Sequence, residues 1–134
     1  MEQRKSGGCL CRAIRFETRG PLRKVVACHC SQCRRQTGLY NAATNARLED
    51  VRMIGETMLT WYRASADARR GFCSRCGSAL FWQEDGEDRI SILAGAFDQP
   101  SGLVMGYHIC CDDKADFYEI PEDGLPRYPG RDGD

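Results

Sequence analysis

Apolar and polar residues alternate one by one along much of this chain. Residues 13–18, Ala-Ile-Arg-Phe-Glu-Thr, place Ile14 and Phe16 on one face and Arg15 and Glu17 on the other. A period of two predicts a half-buried strand. The same reading gives strands at 24–30, 58–63, 78–83 and 89–94. The last two flank Glu84-Asp85-Gly86-Glu87-Asp88, whose Asp-Gly pair predicts a hairpin turn. Shorter strands are expected at 107–110 and 117–120. The helical period is nearly absent. One or two turns after Cys33 and a short piece at 65–68 are the only helices expected. Residues 121–134 are rich in Pro and Gly and predict an irregular tail with a mobile end. The pattern is that of one small, mainly β domain over residues 1–134, without a linker or an internal repeat.

Composition narrows the function classes. A length of 134 residues suits one domain. Nineteen Lys and Arg balance nineteen Asp and Glu. Dedicated nucleic-acid binders carry a basic excess, so that class is not expected. No stretch approaches the roughly 20 apolar residues that span a bilayer, so no membrane partner is expected. The first six residues start basic but lead into no apolar run, unlike a secretory signal. The expectation is a cytoplasmic protein. Nine cysteines then need explaining, because disulfides are rare in that compartment. Their spacings are Cys9-x-Cys11, Cys28-x-Cys30-x-x-Cys33, Cys73-x-x-Cys76 and Cys110-Cys111. Such clustering favours metal over disulfides.

Cys73-Ser74-Arg75-Cys76-Gly77 has the zinc-knuckle pattern. Two thiolates meet one ion across a tight turn, and Gly77 can adopt the left-handed backbone that brings amides toward the sulfurs. A knuckle supplies two ligands. Cys9-Leu10-Cys11 can supply two more, since residues i and i+2 of an extended chain share a face. Leu10 is then expected to face the core, and Gly7-Gly8 give the backbone room. Four cysteines make a closed, structural site.

In Cys28-His29-Cys30-Ser31-Gln32-Cys33 the same alternation puts Cys28 and Cys30 on one face and His29 on the other. Cys33 returns over the same ion. Three sulfurs leave a fourth position. His108, Cys110 or Cys111 is one way to fill it. A substrate is the other, as in catalytic zinc sites that keep an open position. Zinc with three thiolates keeps one net negative charge and is a weaker Lewis acid than zinc held by three histidines. It suits a soft thiolate ligand, which it would deprotonate. Arg34 and Arg35 follow at once and are candidates to offset that charge or hold a substrate carboxylate; the plainer reading is two solvated surface arginines.

Three stretches together resemble one known family. They are Gly7-Gly8-Cys9-Leu10-Cys11-Arg12-Ala13-Ile14-Arg15-Phe16, Cys28 through Gly38, and Gly71-Phe72-Cys73-Ser74-Arg75-Cys76-Gly77-Ser78-Ala79-Leu80. Ala94-Gly95-Ala96-Phe97-Asp98, His108-Ile109 and Lys114 also fit. The chain resembles the glutathione-dependent formaldehyde-activating enzyme (GFA, or centromere-protein-V) family over residues 5–128. The resemblance implies a β-tent of small antiparallel sheets related to zinc ribbons and stapled by zinc. It implies two zinc ions per chain: a structural one on Cys9, Cys11, Cys73 and Cys76, and a catalytic one on Cys28, Cys30 and Cys33. It also implies carbon–sulfur lyase chemistry, the reversible joining of glutathione and formaldehyde to S-hydroxymethylglutathione. The sequence departs from the family's pattern in three places. Arg12 stands where glycine is usual, Phe117-Tyr118 where a Trp is more usual, and Cys110-Cys111 is additional.

Three functions compete at this level. The first is the lyase, with His29, His108 and Tyr40 as candidate proton donors. The second is a non-catalytic scaffold in which both zincs are structural. The third is a sensor that uses the vicinal thiols Cys110 and Cys111.

Overall fold

The computed structural model describes residues 3–131. Ten strands run in chain order: β1 (Arg4–Gly8), β2 (Arg15–Arg19), β3 (Val25–Cys28), β4 (Asn41–Arg47), β5 (Val51–Ile54), β6 (Leu59–Arg63), β7 (Ala68–Cys73), β8 (Ala79–Glu84), β9 (Arg89–Leu93) and β10 (Met105–Ile109). One α-helix, α1 (Ser31–Thr37), follows β3. The strands make two sheets, β1-β2-β5 and β10-β3-β4-β9-β8-β7-β6. The pairs are antiparallel except β3 with β10, which run parallel with Ala27 opposite His108 and Cys28 opposite Ile109. Among the described residues no helix is long and apolar enough to cross a membrane.

The core lies where the two sheets meet. The alternation in β2 buries Phe16 and Thr18. The Phe16 ring sits edge-on to Phe81 of the large sheet at 5.9 Å and to Phe97 at 5.1 Å. Ile14, Ala46, Leu80, Ile90 and Ile92 complete this cluster, and Cys9 and Cys73 belong to it. One metal-ligand candidate from each half of the closed set is therefore fixed by the core. A β-carbon on Gly7 would lie 2.3 Å from the Ala96 carbonyl oxygen, so β1 can pass this close only as glycine.

The Asp85-Gly86 hairpin forms as expected, with Gly86 at φ 79° joining β8 to β9. Three expectations are corrected. Residues 65–68 are not helical. The Ala64 and Ser65 amides both donate to the Ala68 carbonyl, at 3.2 and 3.3 Å, and this closes a tight β6–β7 turn. Residues 117–120 are not a strand; Lys114 Nζ donates to the Ala115 and Tyr118 carbonyls and holds them in a turn. The strand read over 24–30 stops at Cys28, and the helix begins before Cys33, because Cys30 is its N-cap. The tail end expected to be mobile, 132–134, lies outside the described residues.

Candidate metal centres

Cys9 and Cys11 leave the end of β1, Cys73 ends β7, and Cys76 follows in the knuckle. Their four sulfurs lie within 4.8 Å of one another. Cys9 and Cys11 sulfurs are 3.7 Å apart, and those of Cys11 and Cys73 are 3.8 Å apart. Backbone amides point at these sulfurs. Ile14 N–H donates to Cys9 Sγ at 3.3 Å, and Arg75 and Cys76 N–H donate to Cys73 Sγ at 3.4 and 3.5 Å. The Ser78 hydroxyl lies 3.2 Å from Cys76 Sγ and is the main reason that this thiol is held down at about 5. Gly77 takes the left-handed conformation, φ 80°, that the knuckle requires.

Leu10 corrects the reasoning behind this centre. It is 85% exposed rather than in the core. The segment is a turn, closed by Arg12 N–H to the Cys9 carbonyl at 3.2 Å, and not an extended strand. The turn gathers both thiols inward and throws Leu10 out. Arg12 completes it at φ 67°, a left-handed conformation that favours glycine.

The second cluster holds Cys28, Cys30 and Cys33, with all three sulfurs within 4.8 Å of one another. Cys28 ends β3. Cys30 caps α1, its sulfur accepting the Cys33 N–H at 3.3 Å. Cys33 sits in the first turn of α1 and is buried. Hydrogen bonds from the Cys28 and Cys33 thiols hold the Cys30 thiol well below its ordinary range. The same contact with Cys30 pushes Cys28 up to about 12.

These sulfurs open on a cavity of about 310 Å³. Its lining contains Arg23, Arg70 and Arg131 and no acidic residue, with Trp82 and Ile109 as apolar wall. Arg70 is 5% exposed. Its Nη2 donates to Cys33 Sγ at 3.3 Å and its Nε to Gln32 Oε1 at 2.8 Å. Asn41, paired with Cys28 across β3 and β4, also lines the cavity. It is 8% exposed, and its side-chain oxygen has no hydrogen-bond partner. Arg34 and Arg35 are not among the lining residues.

Cys110 lines the cavity in a left-handed conformation, φ 55°. Burial pushes its thiol up. It lies outside the 4.8 Å cluster of the other three sulfurs. Cys111 does not line the cavity.

His29 turns away from the sulfurs, as strand alternation requires. It is buried, with Nδ1 2.7 Å from the Tyr118 hydroxyl and Nε2 3.0 Å from His108 Nδ1. His108 Nε2 lies 2.9 Å from Asp123 Oδ2. With Asp123 ionised and both rings neutral, every donor in this chain points toward the carboxylate: Tyr118 to His29, His29 to His108, His108 to Asp123. Burial, reinforced by the charges of Lys114 and Arg127, lowers His29 to about 4. The Tyr40 ring lies tilted against His29, ring centroids 4.9 Å apart. None of His29, Tyr40, His108, Tyr118 and Asp123 lines the cavity.

The sequence reading missed Arg70, Arg23 and Asn41. Arg70 could have been found only by phasing residues 68–73 as a strand into the knuckle, which separates Arg69 from Arg70 on opposite faces. Asn41 and Arg23 carry no motif.

A family model described as glutathione-dependent formaldehyde-activating enzyme matches residues 4–113. A Schizosaccharomyces pombe protein named "Uncharacterized lyase" is 27% identical over 119 residues, covering 85% of this chain and 83% of its own. A Halomonas elongata protein named "Putative glutathione-dependent formaldehyde-activating enzyme" is 30% identical over 127 residues, covering 85% of this chain and 79% of its own. The crystal structure of a Rhodobacter sphaeroides protein superposes with a TM-score of 0.61 at 24% identity, covering 91% of this chain and 98% of that one. Its likeness is one of fold.

Proposed function

The chain belongs to the glutathione-dependent formaldehyde-activating enzyme family, and on that premise we propose that it is a zinc-dependent carbon–sulfur lyase. Its substrate would be the adduct of a small thiol such as glutathione with a small aldehyde such as formaldehyde. One observation carries this reading: the two centres are unequal. Four sulfurs close on one another, while three open on a cavity.

Zinc fits both donor sets. A tetrahedral ion with Zn–S bonds of about 2.3 Å sets its sulfurs about 3.8 Å apart; the separations of 3.7 and 3.8 Å in the first cluster agree. Cys9, Cys11, Cys73 and Cys76 would hold a structural ion, and Cys28, Cys30 and Cys33 a second. When bound to three thiolates, zinc supplies a soft electrophilic seat on which a substrate thiol stays ionised at neutral pH.

The chain's own side chains orient the rest. Arg23 and Arg131 line the cavity and, in this reading, hold the substrate carboxylates in place of Arg34 and Arg35. Trp82 and Ile109 limit water. In the cleavage direction the carbon–sulfur electron pair goes to sulfur, the hydroxyl proton passes to solvent water at the cavity mouth, and the carbonyl forms. The unpartnered side-chain oxygen of Asn41, opposite Cys28, is available to accept a hydrogen bond from that hydroxyl. His29 and His108 hold the strand ends beneath the cluster, with no place in the cavity.

Titrating the cobalt-substituted protein with glutathione tests the reading. A changed sulfur-to-cobalt absorption on binding one equivalent is expected. Two closed four-sulfur spectra that ignore glutathione would sink it. Cys9→Ser should abolish folding, whereas Cys30→Ser should abolish activity with a smaller loss of fold. A second reading, in which both ions are structural, is favoured by one observation: Cys110 lines the same cavity as Cys28, Cys30 and Cys33. It requires Cys110→Ser to change the metal spectrum; the lyase reading requires no change.

A further inference from the structure

We propose that Arg70 is the built-in counter-charge of the three-cysteine centre, and that it is what lets this centre accept an anionic fourth ligand. The inference rests on the reading of Cys28, Cys30 and Cys33 as zinc ligands and adds a residue that acts through them. Arg70 is a positioning residue, not a ligand.

A guanidinium is always ionised, and burying one without an anion is costly. Arg70 is nine-tenths buried, on β7 between Tyr62 and Trp82 of the neighbouring strands. Among the described residues no carboxylate forms an ion pair with it. Its two hydrogen-bond acceptors are Gln32 Oε1 and Cys33 Sγ. Gln32 is neutral, so the charge is answered by sulfur. The geometry is held from behind, because Gln32 Nε2 donates to the Ala64 carbonyl at 3.1 Å and this turns its oxygen toward Arg70.

The charge count explains the arrangement. Three thiolates around a divalent ion leave one negative charge, and Arg70 cancels it. A substrate thiolate then enters a neutral site. Without Arg70 it would enter a site of its own sign, in a partly dehydrated cavity where like charges repel strongly. The four-cysteine centre supplies the contrast. Its sulfurs accept hydrogen bonds from the amides of Ile14, Arg75 and Cys76 and lie beside the Ser78 hydroxyl, and among the described residues no guanidinium is bonded to them. That centre needs no fourth ligand from outside.

The test uses the zinc-loaded protein and two variants, Arg70→Gln and Arg70→Lys, with chelator competition to follow release of each ion. The four-cysteine centre is the internal control for folding. In Arg70→Gln one of the two ions should be held about 10–100-fold more weakly, the scale seen when a group bonded to a metal ligand is removed. The other ion should be unaffected. Arg70→Lys should recover most of the affinity, because it restores charge without the fork. In cobalt-substituted protein, glutathione should also bind more weakly to Arg70→Gln than to Arg70→Lys. Unchanged affinity in Arg70→Gln, equal weakening at both centres, or an Arg70→Lys variant as weak as Arg70→Gln would each overturn the assignment. If Arg70→Gln fails to fold, wild-type-like metal and glutathione binding by Arg70→Lys supports it, and weakened binding overturns it. Uptake of a single ion by the wild-type protein would overturn the lyase reading as well, which separates the two failures.

Discussion

Arg12 shows how closely a single side chain is tied to the first centre. It adopts φ 67° in the turn that gathers Cys9 and Cys11. A left-handed conformation costs a side-chain-bearing residue about 1–2 kcal/mol. Arg12→Gly should therefore raise stability by about 1 kcal/mol, read as a higher denaturation midpoint in the zinc-loaded protein. Asp98 makes a second prediction. Arg15, at 2.5 Å, and Ser6, at 2.9 Å, hold its carboxyl down at about 2. A depressed carboxyl contributes stability above its unfolded value near 4, and that contribution is lost as pH falls through its folded value. Asp98→Asn should thus be less stable than the wild type at pH 6, and the difference should shrink below pH 4 and vanish only below about pH 2. The orientation of His29 was legible, because alternation alone turns it away from the sulfurs. Its partners were not. His108 and Tyr118 lie 79 and 89 positions along the chain, and no local pattern links them to it.

At the level of elements, the longer strands with apolar alternation were legible; β1 and β4, which lack it, were not, nor was β5, whose Val51-Arg52-Met53-Ile54 is too short to establish a period. β1 is Arg-Lys-Ser-Gly-Gly and β4 is Asn-Ala-Ala-Thr-Asn-Ala-Arg; neither has large apolar side chains to reveal a period. β4 nonetheless lies inside the large sheet, between β3 and β9, where small side chains leave space for the cavity. β7 was hidden because Ser65-Ala66-Asp67-Ala68 suits a helix turn as well as a hairpin turn, and Arg70 was lost with it. Both candidate centres survived these errors, since cysteine spacing and the knuckle glycine are local signals. β2 carries the element-scale prediction. Its Phe16 joins the small sheet to Phe81 and Phe97. Phe16→Ala should cost about 3–5 kcal/mol, measured by urea unfolding with zinc present. A cost below about 1 kcal/mol would mean that the sheets are joined elsewhere.

For the whole molecule, the family-matched region ends at residue 113, but the chain continues as a tail that returns to the large sheet. The His108 amide donates to the Pro126 carbonyl at 2.9 Å, the Tyr128 amide to the His108 carbonyl at 2.9 Å, and the Cys110 amide to the Gly130 carbonyl at 2.8 Å. Arg131 then reaches the cavity wall near Trp82. Arg131→Ala should raise KM for a carboxylate-bearing thiol several-fold and leave kcat nearly unchanged; an unchanged KM would remove Arg131 from the substrate contacts. The tail's backbone bonds have another consequence. β10 is the last strand of its sheet, and an outermost strand with free amides and carbonyls is a template for pairing with another molecule. Residues 126–130 occupy that template. Deleting residues 125–134 should therefore uncover it, and size-exclusion chromatography should show self-association that rises with concentration. The same segment that helps shape the cavity also guards the protein against adding strands of its own kind.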